Sequence, residues 1–437
     1  MPASWHALRM PKISEDLVFR GLVQQVSDEA LWTLLDTGAT TVYAGFDPSS
    51  DSLHVGNLLG IITLRRLQEA GHRPIFLAGG GTGLIGDPGG KLDERPLLSK
   101  DELASNLEGI RAQLGALLDL SAAAGKARGL LLDNSEWLCA FGFIDFLRDV
   151  GKHFTVNQMT AKESVRSRLE RPDQGISFTE FSYMLLQAYD YLYLHDSYGC
   201  RLQIGGSDQW GNITMGLELI RKVRSAEAFA LTYPLLLRAD GTKYGKSESG
   251  AVWLDPAKSS PYEMYQFFLR TPDGEVGVLL RQFTFLSHEE IEELDLETAE
   301  RPEQTRAQQA LARAVCTLVH GEAETERAAV ASRALFSEDV GRLDEAMLLE
   351  VFADAPSSKL PRSALDAGGL ELVDLLVSSG LVRSKTAART ALAQGGVYVN
   401  NRRRLEPEAR LDRADLLADR YVVLRRGRRD YHLLRFE

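Results

Sequence analysis

The first half of the chain alternates short apolar runs with segments of helical periodicity. A β-forming run at 41–46 ends in the polar cluster 47–52, and apolar positions then recur at helical spacing until Gly71. A second β-forming run follows at 73–78. This order predicts two parallel strands joined by a crossover helix, with the start of the helix at the carboxyl edge of the sheet.

The same alternation continues as far as residue 237. Further strands are predicted at 130–133, 200–206 and 231–237, and helices are predicted to begin at the capping pairs Ser99/Glu102 and Ser177/Glu180. We therefore predict an α/β fold with a doubly wound, parallel, Rossmann-like sheet.

The pattern changes twice in the second half of the chain. From residue 261 it predicts helices alone, a segment rich in Pro, Ser and Gly follows, and a small α+β unit ends the chain. The predicted domains are a catalytic Rossmann-like domain at 1–260 that includes a lysine-containing loop, an all-helical domain at 261–352, a linker at 353–369, and an α+β domain at 370–437.

Two distant polar segments are candidates for binding phosphate. His54, Gly56 and Asn57 fall on the first turn of the crossover helix, where backbone N–H groups and the helix dipole attract anions. Lys243 and Lys246 lie among Gly and Ser and offer point charges to phosphate oxygens. Each segment alone is also typical of an ordinary surface turn.

A small polar ligand could bind beside these segments. Tyr183, Gln187 and Asp190 share one face of the predicted helix that begins near residue 178, and Asp87 lies in the glycine-rich exit of the second strand. A solvated helix face is the alternative interpretation of the first three residues.

Charge is distributed unevenly along the 437 residues. The net charge is −11, yet residues 381–437 contain 14 Lys and Arg against 7 Asp and Glu. A basic segment on an acidic protein favours local contact with RNA phosphates, although a solvated basic surface would look the same.

Several protein classes are disfavoured by the composition. The three cysteines are widely spaced, which disfavours a disulfide framework or a CxxC zinc site. No apolar run reaches 18 residues, and the amino-terminal residues lack the apolar core of a signal peptide. We expect a cytoplasmic protein without membrane contact.

The candidate segments resemble one enzyme family. HVGN at 54–57 and KYGKS at 243–247 resemble the HIGH and KMSKS signatures of class I aminoacyl-tRNA synthetases. The segments YAGFDPSSDSLHVGN, GLIGDPGGK, ISFTEFSYMLLQAYDYL and LQIGGSDQWGN are similar to those of the bacterial-type tyrosyl-tRNA synthetases, in the same order. Asn57 stands where many members carry a second His, and Tyr244-Gly245 departs from the usual lysine motif. The segment SGLVRSKTAARTALAQGGVYVN resembles an RNA-binding module that such synthetases carry at the carboxyl end.

The resemblance implies a two-step reaction. Tyrosine would react with ATP to give tyrosyl-adenylate and pyrophosphate, and the tyrosyl group would then pass to the 3′-terminal ribose of tRNA(Tyr). ATP would be a substrate accompanied by Mg²⁺, with no tightly bound cofactor and no resident metal site. The family also implies a homodimer and a helical domain that binds the anticodon arm.

The resemblance assigns a role to each matching residue. Residues expected to act on the phosphates are His54, Asn57, Lys243, Lys246, Lys91 and Arg95. Tyrosine would be bound by Tyr43 and Asp190 at the phenolic hydroxyl, by Asp87, Tyr183 and Gln187 at the ammonium group, and by Gln209 near the carboxylate. The ATP site would add Gly45, Asp47, Gly56, Gly206 and Asp208 to the phosphate-binding residues. The residues expected to contact tRNA are Lys385, Arg389, Arg402, Arg403, Arg404, Arg425 and Arg426.

Two other functions remain open from the sequence. A tryptophanyl-tRNA synthetase would share the sheet and both signatures. The pair Tyr43 and Asp190, expected to bind a phenolic hydroxyl, and the basic segment 381–437 argue against it. An RNA-binding scaffold without catalysis would use the tail and the helical domain, but the presence of His54, Lys243 and Lys246 argues against that.

Overall fold

The computed structural model describes residues 11–87, 98–170, 175–237, 244, 246–247, 250–334, 337–353, 355–366, 368–427 and 430–437, with only the backbone described at 164, 167, 246–247 and 338–339. It divides into two compact units, Met1–Val319 and His320–Glu437. The domain boundaries predicted at 260, 352 and 369 stay predictions.

The first unit is built on a six-stranded sheet. Its strands are β1 (Gln25–Val26), β2 (Thr41–Phe46), β3 (Arg73–Ala78), β4 (Leu130–Asp133), β5 (Cys200–Gly206) and β6 (Phe229–Tyr233). They lie in the order β1-β6-β5-β2-β3-β4, and every neighbouring pair is parallel except β1 with β6. The predicted doubly wound parallel sheet is therefore confirmed. Its strand order changes direction at β2 and β5, which is where such sheets bind ligands.

A two-stranded hairpin and fourteen helices accompany this sheet in the described residues. The hairpin strands are β7 (Lys246–Ser247) and β8 (Gly250–Ala251). The helices are α1 (Ile13–Phe19), α2 (Ala30–Thr37), α3 (Val55–Glu69), α4 (Lys100–Leu117), α5 (Ser135–Leu138), α6 (Phe143–Asp149), α7 (Val156–Thr160), α8 (Glu163–Leu169), α9 (Phe178–Tyr198), α10 (Trp210–Arg224), α11 (Pro261–Leu269), α12 (Asp273–Phe283), α13 (His288–Glu300) and α14 (Arg306–His320).

Local chemistry fixes where these elements begin and end. The Ser99 and Ser177 hydroxyls accept the N–H groups of Glu102 and Glu180, as the capping pairs predict. The strand predicted at 231–237 instead lies at 229–233, because Pro234 has no N–H group to continue the ladder.

Two long helices pack on the sheet beside the switch point. Tyr191 of α9 and Leu219 of α10 are fully buried with Tyr43 and Ile75 of the strands in one apolar cluster. This packing holds α9 against β5 and against the segment that follows β3, so side chains on its packed face have fixed positions.

The second unit ends in a small α+β fold, as predicted. Its elements are α15 (Glu322–Ala334), α16 (Glu345–Val351), β9 (Ser357–Leu360), β10 (Leu370–Glu371), α17 (Leu372–Ser378), α18 (Lys385–Ala393), β11 (Val397–Val399), β12 (Arg402–Arg404), β13 (Arg410–Leu411), β14 (Tyr421–Arg426) and β15 (Asp430–Phe436). Five strands form a sheet in the order β12-β11-β14-β15-β9.

The segment predicted as a linker contains one strand of this sheet. β9 pairs in parallel with β15 at the edge, and Pro356 and Pro361 stand on either side of it. Prolines are tolerated beside an edge strand, so composition alone made this segment look like a linker.

Within the described residues, no helix combines the length and the apolar character that crossing a bilayer requires.

Candidate active site

A cavity of about 470 Å³ lies at the carboxyl ends of β2, β3 and β5. This volume is in the range of sites for small molecules. The predicted tyrosine- and ATP-site residues that line it are Tyr43, Gly45, Asp47, His54, Gly56, Asn57, Asp87, Tyr183, Gln187, Asp190, Gly206, Asp208 and Gln209. Lys91, Arg95 and Lys243 lie outside the described residues.

His54 and Asn57 cap the crossover helix at the mouth of the cavity. The His54 Nδ1 atom accepts the Gly56 N–H at 3.0 Å, and Asn57 Oδ1 accepts the His54 N–H at 3.1 Å. Because Nδ1 is an acceptor, the proton of the neutral imidazole lies on Nε2. The turn therefore carries an imidazole N–H donor and a carboxamide NH₂ donor beside the positive end of the α3 dipole.

Glycine is needed at position 56 for this arrangement. A Cβ atom there would lie 2.8 Å from Cε1 and 2.9 Å from Nδ1 of His54. A larger residue would push the imidazole out of its capping position.

The segment that contains Lys246 lies against this same turn. In the hairpin, Lys246 pairs with Ala251, and both Ala251 and Tyr244 line the cavity. Farther along the same strand, the Val252 carbonyl accepts the Val55 N–H at 3.0 Å. The two candidate phosphate-binding segments, about 190 residues apart in the sequence, therefore meet at one cavity.

A carboxyl group and a phenol lie at the closed end of the cavity. Asp190 is 2% exposed and Tyr43 is 1% exposed. The two carboxylate oxygens of Asp190 accept hydrogen bonds from Asn134 Nδ2 at 2.9 Å and from Trp137 Nε1 at 2.7 Å. The Tyr43 hydroxyl has no hydrogen-bond partner among the described residues. An unsatisfied buried hydroxyl is costly, so this end of the cavity is suited to a ligand that carries its own hydroxyl group.

Burial changes the acidity of both groups. It raises the pKa of Asp190 to about 7, although the hydrogen bonds from Asn134 and Trp137 oppose the rise. Burial, followed by the charge of Asp190, raises the pKa of Tyr43 well above its ordinary value. Tyr43 therefore keeps its hydroxyl proton and can donate a hydrogen bond, and Asp190 can accept a hydrogen bond from a ligand hydroxyl.

A second carboxylate sets the orientation of Tyr183. The Tyr183 hydroxyl donates to Asp47 Oδ2 at 2.8 Å, and burial together with the Asp47 charge raises the pKa of Tyr183 well above its ordinary value. Because its proton points at Asp47, the Tyr183 oxygen can act as an acceptor for a ligand cation. Asp87, which accepts from Gln209 Nε2 at 2.7 Å, adds a negative charge to the same cavity.

Sequence reasoning missed three residues that hold this site together. Thr82 donates to Asp47 Oδ1 at 2.7 Å and accepts from Asn134 Nδ2 at 3.0 Å. Asn134 also bonds Asp190, so hydrogen bonds run without a break from Asp190 to Tyr183. Trp137 is the third missed residue. The sequence placed Asn134 and Trp137 only in the exit loop of β4, and nothing in the local pattern indicated that this loop meets α9.

Gln203 is a further missed residue in the cavity wall. It stands opposite Tyr43 in the sheet, is 2% exposed, and its Oε1 atom has no hydrogen-bond partner among the described residues. Its place on a predicted strand indicated only that it was half-buried.

The predicted tRNA-binding residues lie in the second unit, and most of them contact their own chain. Arg425 is buried and stacks 3.8 Å from the centroid of Tyr398. Arg403 donates to the Gly395 carbonyl, Arg404 pairs with Asp415, and Arg426 donates to the Leu381 carbonyl. Lys385 pairs with Asp374. The exposed residues of this set are Lys385, Arg389, Arg402, Arg403 and Arg426.

The described residues contain no cluster of three or more His, Cys, Asp or Glu side chains arranged to hold a metal ion.

Comparison with known proteins identifies the class of protein to which this chain belongs. A sequence profile of the family described as "tRNA synthetases class I (W and Y)" matches residues 35–337. A second profile, described as "Tyrosine--tRNA ligase SYY-like C-terminal domain", matches residues 350–434. The sheet, the capped His54 turn and the lysine-containing hairpin therefore define a class I synthetase fold.

Individual relatives narrow the class. A tyrosine–tRNA ligase of Roseiflexus castenholzii is 54% identical over 98% of this chain and 100% of its own length. A tyrosine–tRNA ligase of Bacillus caldotenax is 52% identical over 96% of this chain and 99% of its own length. The solved structure of a C-terminally truncated mitochondrial tyrosyl-tRNA synthetase of Aspergillus nidulans has a TM-score of 0.68 at 31% identity, and covers 75% of this chain and 95% of that one. The chain belongs to the bacterial-type tyrosine–tRNA ligase family.

Proposed function

We propose that the cavity at the switch point is where this tyrosine–tRNA ligase forms tyrosyl-adenylate and passes the tyrosyl group to tRNA. The observation that carries the proposal is the meeting of the His54 turn and the Lys246 hairpin beside one cavity. Cationic and N–H donors from two segments can then act on the same triphosphate.

In the first step, an oxygen of the tyrosine carboxylate attacks the α-phosphorus of ATP. The bond from that phosphorus to the pyrophosphate oxygen breaks, and pyrophosphate leaves. The carboxylate is ionised at neutral pH, so this step needs no general base. It needs in-line positioning and stabilisation of the charge that develops on the pyrophosphate, for which we propose His54, Asn57, Lys243 and Lys246.

Lys91 and Arg95 are proposed as a further pyrophosphate contact. We also propose that Mg²⁺ accompanies ATP, because Mg²⁺ is commonly bound through phosphate oxygens and water.

We propose that tyrosine binds with its phenol at Tyr43 and Asp190. Tyr43 would donate a hydrogen bond to the phenolic oxygen, and Asp190 would accept a hydrogen bond from the phenolic O–H group. Phenylalanine would leave the buried Tyr43 hydroxyl without a partner and would offer no donor to Asp190, and this is the physical basis of discrimination against it.

The other end of tyrosine would meet acceptors. Asp87, Tyr183 and Gln187 would bind the ammonium group, which agrees with the Tyr183 proton pointing toward Asp47. Gln209 would lie near the reacting carboxylate.

The nucleotide would occupy the half of the cavity nearest the His54 turn. We propose that Asp47 and Asp208 face the adenine and ribose side, and that Gly45, Gly56 and Gly206 allow its close approach to the backbone.

In the second step, a hydroxyl of the 3′-terminal ribose of tRNA attacks the tyrosyl carbonyl carbon, and AMP leaves. Among the predicted tRNA contacts we propose Arg389 first, because its side chain is exposed and carries a positive charge. Arg402 is kept as a further proposed contact. Lys385, Arg403, Arg404, Arg425 and Arg426 are retained as proposed contacts that also stabilise their own domain.

A homodimer is proposed from the family and from one apolar surface. Phe143 and Ile144 of α6 are 65% and 70% exposed, although Phe146 of the same helix packs near Tyr189. A second copy of the chain would cover such a surface. Light scattering should give twice the mass of one chain, and Ile144→Asp should reduce it to one. A monomeric wild type would contradict this proposal. The cytoplasmic location stays a prediction.

The proposed reaction is tested by amino-acid-dependent exchange of pyrophosphate into ATP. Tyrosine should support exchange, and tryptophan and phenylalanine should not. Selectivity for tryptophan would indicate the tryptophanyl alternative, and absence of exchange with every amino acid would indicate a scaffold without catalysis.

A further inference from the structure

One extended segment, residues 250–254, joins the two halves of the proposed phosphate site. Its first residues form β8, in which Ala251 pairs with Lys246. Its last residues pair with residues 53–55, because Leu254 N–H donates to the Leu53 carbonyl at 2.8 Å and Trp253 stands opposite His54. The backbone positions of His54 and Lys246 are therefore fixed by the same short strand.

The side chain of Trp253 lies at the centre of this arrangement. Its ring contacts the His54 imidazole edge-on, with centroids 5.9 Å apart and an interplanar angle of 66°. The backbone N–H group of Trp253 donates to Ser259 Oγ at 3.2 Å. The indole therefore contacts a proposed catalytic group while its own backbone is held in place.

An ion pair fixes the indole from outside. The Lys258 ammonium lies 4.9 Å from the centroid of the Trp253 ring and forms an ion pair with Asp51. Asp51 belongs to the loop that leads from β2 into His54. The ion pair therefore connects the turn after residues 250–254, which contains Lys258, with the loop before α3, which contains Asp51. The Trp253 indole lies beside this ion pair.

We propose that Trp253 is a positioning residue for adenylate formation, and that Asp51 and Lys258 hold it in place. The inference rests on the proposed function of the cavity. Asp51, Trp253 and Lys258 are not among the described residues that line the cavity. They would therefore act indirectly, through His54 and the strand that contains Lys246. Catalysis by fixed donors depends on such positioning, because donors that must reorganise lose their advantage in the transition state.

The competing interpretation is an ordinary surface ion pair. Lys258 and Asp51 are 31% and 49% exposed, and an exposed pair contributes little to stability. A pair of that kind would leave the kinetics of the nucleotide step unchanged. The test therefore reads kinetics and tyrosine affinity separately.

The experiment compares full-length wild type with Lys258→Met, Asp51→Asn and the double variant. We expect each single variant to lower kcat/KM for ATP in pyrophosphate exchange by roughly three- to tenfold, the loss expected for one cation–π contact with its ion pair. The equilibrium Kd for tyrosine should stay within about twofold of wild type, since the tyrosine end is untouched. The double variant should lose no more than one single variant, because the two residues act as a unit.

Two further variants sharpen the result. Lys258→Arg should retain activity, because a guanidinium can make both the ion pair and the contact with the indole. Arg201→Met is the matched control. It breaks the exposed Arg201–Glu227 pair at the amino end of β5 and should leave exchange unchanged.

The outcomes separate the two proposals. If wild type shows no tyrosine-dependent exchange, the proposed function fails and this inference fails with it. If wild type is active and Lys258→Met and Asp51→Asn behave like Arg201→Met, only the positioning role is overturned. A parallel loss of tyrosine affinity in Lys258→Met would also overturn it.

Discussion

The closed end of the cavity depends on how a few buried polar atoms are satisfied. Both oxygens of Asp190 accept hydrogen bonds from Asn134 and Trp137, while the Tyr43 hydroxyl has no partner among the described residues. The carboxyl group is thus fixed in orientation before a substrate arrives. Asn134 and Trp137 are neutral, so no positive charge balances the carboxylate, and burial is the largest influence on the pKa of Asp190.

A pH dependence follows from the raised pKa of Asp190. This carboxyl is neutral below about pH 7 and ionised above it. The kcat/KM for tyrosine in pyrophosphate exchange should fall about fourfold from about pH 8 to about pH 6, because a hydrogen bond to a charged acceptor is stronger by roughly 1 kcal/mol. Any residual exchange with phenylalanine, which lacks the hydroxyl, should show no such step. A flat tyrosine profile would contradict this role of Asp190.

Residues on one regular element were predictable, and residues that connect elements were not. Helical spacing placed Tyr183, Gln187 and Asp190 on one face, and all three line the cavity. Thr82 and Asn134 escaped prediction because their hydrogen bonds join loops that only the sheet brings together. Side-chain partners more than 50 residues away leave no mark on local periodicity.

At the scale of elements, the crossover helix α3 is fixed at both ends. His54 caps its start, and near its other end Arg66 is buried beside Asp16 of α1. Arg20 pairs with Asp16 and donates to the carbonyls of Arg281 and Thr284, at the end of α12. The helix that presents His54 is thus held in place by a buried ionic cluster, which the sequence did not predict.

Asp16 is the anion that this cluster shares. Burial acts to raise the pKa of Asp16, but the hydrogen bond from His288 and the charges of Arg20 and Arg66 lower it below its ordinary value of 3.8. A lowered carboxyl pKa contributes stability that is present at neutral pH and is lost only as the pH falls through the folded-state pKa.

Removing this charge should destabilise the first unit. Asp16→Asn leaves Arg20 and Arg66 buried without their anion, so we expect the free energy of unfolding to fall by about 3 kcal/mol. Urea denaturation at neutral pH measures the change. Asp149→Asn, which breaks an exposed pair with Arg148, serves as the control and should leave stability unchanged. Equal stability of Asp16→Asn and wild type would refute the structural role of the cluster.

Across the whole molecule, charge and fold assign the two proposed functions, adenylate formation and tRNA binding, to different parts of the chain. The parallel sheet and both phosphate-binding segments lie in the first unit, whereas the net positive segment 381–437 lies in the second. The sequence predicted this division through its charge distribution. The sequence did not predict which arginines of this segment would pack against their own domain. The stacking of Arg425 on the Tyr398 ring, for example, depends on the register in which β11 pairs with β14.

Truncation should separate the two steps of the reaction. A chain that ends before Ser357 lacks β9 to β15 and should retain tyrosine-dependent pyrophosphate exchange while losing tRNA charging. Loss of exchange in a folded truncated chain would mean that the tail is needed for adenylate formation.

We propose that His54 and Lys246 act together on one bound ATP, and single-turnover formation of tyrosyl-adenylate measures this joint action. His54→Ala and Lys246→Ala should each slow this step by about 100-fold or more, the loss typical of one transition-state donor, while the Kd for tyrosine stays unchanged. His195→Ala, at the far end of α9, is the control and should match wild type. Adenylate formation at the wild-type rate in either variant, or a parallel loss of tyrosine affinity, would contradict the account.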